Sequence, residues 1–276
     1  MTEISICVGE KTALINSNEF ISKVIKLNCE GFISTKSPEL NIEIKLAQNA
    51  KRKSINFDEI DFTKETVESD NDSVNIKSEL YLGYIDIKGN NANFELNYFG
   101  EDVWQIIKTI LLKTFSFILV KEDILFFHSS AVAHNNKSYA FLGLSSAGKS
   151  THAKLTGAKI LNDDMVMFHI ERKEITTYGT PFGGDYPPSN SSARLSAIFF
   201  PKKSDHLEFK KISNIDVVPK IVQAEFISMT TELKKNKLIL KKILSLIIIL
   251  VKQVNCYNMK SEKSDEFWKS IKKSEF

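Results

Sequence analysis

The run Tyr139-Ala140-Phe141-Leu142-Gly143-Leu144-Ser145-Ser146-Ala147-Gly148-Lys149-Ser150-Thr151, just past the midpoint, constrains this chain more than any other stretch. Its first four residues are apolar or aromatic and read as a short buried strand. Lys149–Leu155 is compatible with a helix. Between them the spacing is G-x-x-x-x-G-K-[ST], that of a phosphate-binding loop. Glycines let successive backbone N–H groups turn toward phosphate oxygens, and the helix adds its positive N-terminal end. Lys149 supplies a point charge for the outer phosphates, and the Ser150 hydroxyl is a hard oxygen ligand for Mg²⁺. Gly143, Ser145, Ser146, Ala147, Gly148, Lys149, Ser150 and Thr151 form the expected nucleotide-binding set. Gly/Ser-rich turns mimic the pattern elsewhere; the strand before and the helix after argue for a working loop.

Composition narrows the rest. The chain has 276 residues and a 42% hydrophobic content, enough for one large domain or two modest ones with full cores. Its 37 basic residues nearly balance 34 acidic ones, which argues against nucleic acid or an anionic membrane as partner. Cys7, Cys29 and Cys256 are far apart and odd in number, so neither a zinc site nor a disulfide framework is indicated. The first residues lack a basic segment and a long apolar core, so cytoplasm is the expected compartment. The longest apolar run, Ile243–Val251, is nine residues. A membrane span needs about 20, so a buried core helix is expected there. Trp104–Val120 carries Lys108 and Lys113 and reads as a strongly amphipathic helix on a core.

Taken in order, the first hundred residues suggest a β-rich lobe. Phe20–Leu27 and Ile42–Leu46 are expected strands. Phe57–Asp72 holds seven carboxylates against one lysine and reads as a solvated connection, with an acidic metal site as the sharper alternative. Tyr81–Lys88 and Asn93–Tyr98 alternate around Gly89-Asn90-Asn91, a hairpin signal. A second hairpin is expected from Ile124–His134 and Tyr139–Leu142, joined by the polar turn Asn135–Lys137. Ala158–Asn162 and Met165–Phe168 are apolar strands around an Asp163-Asp164 pair; Glu174–Tyr178 and Ala197–Phe200 are further strands. The Gly/Pro-rich loop Gly179–Asn190 is either a plain connection or a substrate-facing loop. The tail reads as a helix, a strand over Val254–Met259 and a helix over Ser264–Lys273.

Phosphoryl transfer needs a phosphate cradle, Mg²⁺, and a carboxylate that positions the nucleophile or takes its proton. Asp163 and Asp164 follow an apolar strand about a dozen residues after the loop, where a cation-facing acid and a base belong; a paired-Asp turn is the plain alternative. His128, on a strand paired with the loop strand, could reach the γ-phosphate region or orient an aspartate; a core histidine is the plain reading. Arg194 reads as surface rather than as a clamp on the transferred group. His134, His152, His169 and His206 have no metal-ligand spacing.

These pieces together resemble a known family. Ile124–His128 with the following Ser-Ser-Ala-Val-Ala, the Asn135–Lys137 turn, Gly143–Thr151, Leu161-Asn162-Asp163-Asp164 and Gly179-Thr180-Pro181-Phe182 resemble the kinase core of HPr kinase/phosphorylase. They look closer still to the related kinases of ribosomal-peptide gene clusters, lasso-peptide clusters among them. The resemblance covers roughly residues 100–260. It implies an α/β fold: a phosphoenolpyruvate carboxykinase-like P-loop core over 101–276 after a β-rich lobe over 1–100. It further implies an ATP- and Mg²⁺-dependent kinase acting on a hydroxyl, serine first, of a peptide or small protein. Lys149, His128, Asp163 and Asp164 would be catalytic, Asp163 as the base, with Ser150 and Asp164 on the metal. A nucleotide-binding accessory module without efficient transfer is the alternative. Thr151 stands where the HPr enzymes have Glu, and Ser129 where they have Gly after the histidine. HPr as acceptor, and the phosphorylase reaction, are therefore not implied. No nucleic-acid partner and no membrane span are expected, and a homo-oligomer is compatible with the reading.

Overall fold

The computed structural model describes residues 1–52, 65–100, 102–143, 147–225 and 236–273. The chain forms two compact units, Met1–Leu119 with Thr231–Leu240, and Val120–Thr230 with Lys241–Phe276. The boundary thus follows Leu119 rather than residue 100.

The first unit holds β1 (Thr2–Val8), β2 (Lys11–Ser17), α1 (Glu19–Asn28), β3 (Leu40–Arg52), β4 (Thr66–Ser69), β5 (Ser73–Lys77), β6 (Tyr81–Asp86), β7 (Asn91–Phe99) and α2 (Val103–Leu119). The strands make one sheet in the order β1-β2-β3-β7-β6-β5-β4. The pairs β2–β3 and β3–β7 are parallel and the others antiparallel. The expected β6–β7 hairpin is present, with Asn90 at φ 58° in the turn.

Three expectations fail here. Phe20–Leu27 is not a strand but most of α1. The Asn18 side chain accepts the Ile21 N–H at 2.8 Å, an N-cap that outweighs the β-prone residues, and Ile21 and Ile25 bury one face. Within the acidic stretch the connection fails in part: Thr66–Ser69 is a strand and the Glu65 side chain is largely covered, whereas Glu68, Asp70 and Asp72 are exposed as expected; Phe57–Lys64 lie outside the described residues. Finally, α2 is not strongly amphipathic. From Ile110 to Leu119 every residue is buried, Lys113 included. Burial of each Leu, Ile or Phe side chain stabilises by about 1.5–3 kcal/mol, so the helix is held from nearly all sides. Lys113 meets the Glu65 carboxylate and donates to the Tyr81 hydroxyl at 3.0 Å. Val103–Glu122 is apolar and long enough to cross a membrane by composition, and 78% of its most apolar window is buried inside the protein.

The second unit contains β8 (Ile124–His134), β9 (Lys137–Leu142), α3 (Lys149–Leu155), β10 (Lys159–Asn162), β11 (Met165–Ile170), β12 (Ile175–Tyr178), β13 (Ser192–Lys203), β14 (Glu208–Lys211), α4 (Asn214–Ala224), α5 (Lys237–Gln253, entering from the first unit), β15 (Asn255–Ser261) and α6 (Glu266–Lys273). Strands β8, β9, β13, β12 and β11 pair in a closed five-membered ring. Outside it, β10 joins β8, β15 joins β13 and β14 joins β15. The fold is therefore mixed α/β, a sheet closed on itself with helices around it.

The β8–β9 turn is two residues rather than three. Asn135 and Asn136 both have positive φ (50° and 61°), as a primed turn between twisted strands requires. β9 then leads directly into the phosphate-loop motif. Its Tyr139 and Phe141 pack with Phe199, Met259, Phe267 and Trp268, so α6 and β15 back the loop strand. Along α5, Ile243, Leu246, Ile247 and Leu250 are buried, whereas Leu244 and Ile248 are exposed, so the apolar run is a core helix on one side only.

Candidate phosphate-binding and transfer site

The motif is carried as its spacing predicts: β9 ends at Leu142, and α3 begins at Lys149. Gly148, before the helix, has φ 89° and ψ 18°, a conformation that an L side chain adopts only with strain. Leu144, Ser145 and Ser146 lie outside the described residues. Lys149 is 6% exposed and donates from Nζ to the Gly143 carbonyl at 3.0 Å, across the two ends of the loop. Burial lowers its pKa from the ordinary lysine value, and the nearby Asp164 charge opposes that shift.

The two aspartates occupy an interruption in what would otherwise be one long strand. β10 and β11 pair in succession along the same β8 strand, Asn162 opposite Ala131 and Met165 opposite His128. Asn162 builds the break: its Oδ1 accepts the N–H groups of Asp164 (2.8 Å) and Met165 (2.9 Å), and its Nδ2 donates to Thr180 O (2.8 Å). Thr180 Oγ1 in turn donates to Met165 O at 2.6 Å. Asn162 and Thr180 belong to the quoted motifs, but the sequence assigns neither a role. The short Asn-Asp-Asp run, rich in turn residues, was the available signal.

The side chains of the pair diverge into different jobs. Asp163 is buried, and its Oδ1 and Oδ2 accept the backbone N–H groups of Gly184 and Asp185, each at 2.9 Å. That carboxylate fastens the Gly/Pro-rich loop to the site. Gly184 and Asp185 of that loop thus line the cleft. Asp164 Oδ1 lies 3.2 Å from His128 Nε2, both side chains a little over a quarter exposed. The contact follows from the register that sets His128 opposite Met165 and from the Ser129 N–H bond to the Asp164 carbonyl (2.9 Å).

His128, Gly148, Lys149, Ser150, Thr151, Asp163, Asp164, Gly184 and Asp185 line one open cleft of about 420 Å³. Lys203 and Lys263, not anticipated, complete its wall. Arg194 does not come near. It faces Glu174 on the surface at 3.7 Å and is in register with Lys137, the end of β9 remote from the loop, five residues or about 16 Å of strand away. Among the unassigned histidines, His152 is built into the loop: Nδ1 is 2.7 Å from Gly148 O and Nε2 is 2.7 Å from Ser261 Oγ. Its ring stacks with Phe141 and meets Phe267 edge-on, and burial lowers its pKa.

The residues fit a hard cation bound together with phosphate. Ser150 Oγ donates to Asp163 O at 3.1 Å, which spends its proton and leaves its lone pairs for a metal. Among the described residues no cluster of three His, Cys, Asp or Glu could cage a metal alone. Mg²⁺ bound through one or two protein oxygens, phosphate and water does not need such a cage.

Compared with known proteins, the chain matches no family model and no curated relative.

Proposed function

We propose that this chain is an ATP- and Mg²⁺-dependent kinase that transfers a phosphoryl group to a hydroxyl of a peptide or small protein. The supporting observation is the convergence, in one cleft, of the Lys149–Ser150 pair of the phosphate loop with the Asp164–His128 pair. The resemblance to the HPr-kinase-related core, with its phosphoenolpyruvate carboxykinase-like fold, belongs to the same proposal.

In this reading the Lys149 ammonium exchanges the Gly143 carbonyl for the outer phosphates of the substrate. Ser150 would hold Mg²⁺, whose chemistry when bound is charge neutralisation on the phosphates. Asp164 takes the proton of the acceptor hydroxyl, its carboxylate oriented by His128. This departs from the roles expected from sequence, where Asp163 was the base and Asp164 a metal ligand: an Asp163 whose two oxygens are both engaged by backbone amides is better suited to holding the loop.

The first test is calorimetry of ATP with and without Mg²⁺ on wild type and Lys149→Ala. Mg²⁺-dependent binding that disappears in the variant supports the cradle; an inert wild type removes the kinase reading. Peptides encoded beside this chain are the natural acceptors to screen for a product that Asp164→Asn fails to make.

A further inference from the structure

The end of the β13–β15–β14 ribbon stands between two clefts and carries lysines on both of its faces. Register sets Phe200 beside Asn258 and Asn258 beside Lys210, then Lys202 beside Lys260 and Lys260 beside Glu208. Because alternate residues of a strand share a face, these six side chains form two rows across a single surface. That surface belongs to a cleft of about 610 Å³, to which α4 adds Lys220 and Gln223. Lys203, next after Lys202 on β13, points to the opposite face, beside Ser261. There the Ser261 hydroxyl meets His152 Nε2 at 2.7 Å, which ties this face of the ribbon to the helix of the phosphate loop. On that side Lys203 and Lys263 line the cleft that holds Asp164 and His128. They also line a hollow of about 290 Å³ that shares Gly148 and Thr151 with it.

Charge on the ribbon is one-sided. Lys202, Lys210, Lys220 and Lys260 surround the larger cleft against the single carboxylate of Glu208, which Lys260 engages at 2.7 Å. Lys220 Nζ stands 5.3 Å from the centre of the Phe200 ring, a contact that holds the cation without neutralising it. In the other cleft Asp163 and Asp164 are already committed, to two backbone amides and to His128. Asp185 and Glu262 are the other acids on the walls that Lys203 and Lys263 share. Clefts lined by one sign of charge focus their field on an incoming partner of the other sign. The side-chain amides of Asn258 and Gln223, each able to donate and accept, suit a polypeptide backbone. A small anion would occupy one cleft alone. An extended chain reaches both, since crossing one sheet layer takes about 10 Å, which about three residues cover.

We infer that the acceptor is an acidic polypeptide. Its hydroxyl lies in the cleft of Asp164, beside Lys203 and Lys263, and its carboxylates a few residues away lie among Lys202, Lys210, Lys220 and Lys260. The inference rests on the kinase reading and adds the charge of the acceptor to it. Complementary charge steers the encounter and fixes the register in which the chain lies, and so selects one hydroxyl over its neighbours.

The experiment measures fluorescence anisotropy of two labelled peptides, each with one serine. In one the serine is flanked on both sides by Asp and Glu; in the other Asn and Gln take their places. The expected result on wild type is binding of the acidic peptide at least about tenfold tighter, through several exposed ion pairs acting together. That advantage should shrink between about 0.1 M and about 1 M salt, as the screening length falls from about 10 Å to about 3 Å. Lys202→Glu with Lys210→Glu reverses two exposed charges, and this variant should lose the preference and favour a peptide with Lys in place of the acids. Mass spectrometry of the same mixtures with Mg²⁺ and ATP should find phosphate on the acidic peptide. Equal affinity for the two peptides, or a preference that the double variant or salt leaves unchanged, overturns the acidic acceptor. Phosphate placed equally on both peptides also overturns it, while supporting the kinase reading. Charge-dependent binding with no phosphate on any peptide overturns the kinase reading and leaves a docking surface for an acidic chain.

Discussion

Asp163 accepts a 2.9 Å hydrogen bond from the Gly184 N–H, and this tie joins the break between β10 and β11 to the loop that follows β12. A carboxylate meeting two amides is a charge-assisted arrangement of acceptors with donors. Asp163→Asn turns one acceptor into a donor aimed at an N–H. The expected loss is about 1–3 kcal/mol of stability, with earlier proteolysis near Gly184. Asp164→Asn, whose partner is a partly exposed histidine, should unfold close to wild type and lose phosphoryl transfer. Equal thermal stability of the two variants would refute this division of labour.

His152 makes stability depend on pH in a defined direction. Its folded pKa lies below 6.5, because burial against Phe141 and Phe267 disfavours the cation more than the Gly148 carbonyl favours it. As pH falls through 6.5 the unfolded chain takes up a proton that the folded chain resists, so stability is lost below that point and retained above it. Melting temperature should therefore fall between pH 6.5 and 5 in wild type, and fall less in His152→Gln. Identical pH profiles for the two proteins would show that other groups govern this range.

Lys113 and Glu65 form a buried ion pair in the first unit, 7% and 11% exposed at the side chain. Removing one partner strands the other: Glu65→Leu alone should cost about 3–5 kcal/mol. Replacing both, with Lys113→Met and Glu65→Leu, should cost much less or nothing, since well-packed apolar side chains often match a buried pair. Chemical denaturation of the two single variants and the double variant measures the coupling; additive losses would mean that the pair does not act as one.

Cys29 and Cys256 should be inert thiols. Burial pushes each up to about 12, leaving almost no thiolate near neutrality. Mass spectrometry after iodoacetamide at pH 8 should find both unmodified in the native protein and modified in urea. Rapid native labelling of either would mean that its surroundings open readily.

What could be read from the sequence was what is encoded locally. The phosphate loop, its strand and its helix are contiguous, and both hairpins announce themselves through Asn at positive φ, Asn90 in one and Asn135 and Asn136 in the other. Phe20–Leu27 misled because aromatic and β-branched residues dominate it, while the decisive signal, Asn18 before Glu19, lies just outside the run. The Asp-Asp pair could be found, yet its division of roles could not. Which carboxylate meets Gly184 and which meets His128 depends on the register of β8 against β10 and β11 and on a loop some twenty residues later. Lys203, Lys263 and His152 escaped for the same reason. Lys203 reaches the cleft through the pairing of β13 with β9 and β15, Lys263 follows the end of β15, and His152, one helical turn after Gly148, shows its role only through its bonds to Gly148 O and Ser261.

The closed ring of β8, β9, β13, β12 and β11 also bears on the order in which the protein is made. The strand that carries the loop gains one neighbour at once, across a two-residue turn, but its other neighbour is β13, with Phe199 facing Phe141. Contacts of such sequence separation form late, because the loop-closure entropy must be met before they contribute. A nascent chain that has emerged only as far as Ile170 would contain every residue of the motif and both aspartates, yet half of the loop strand's edge would still be open. The loop strand is then fully paired only once β13 has been made, not when the motif's own residues appear.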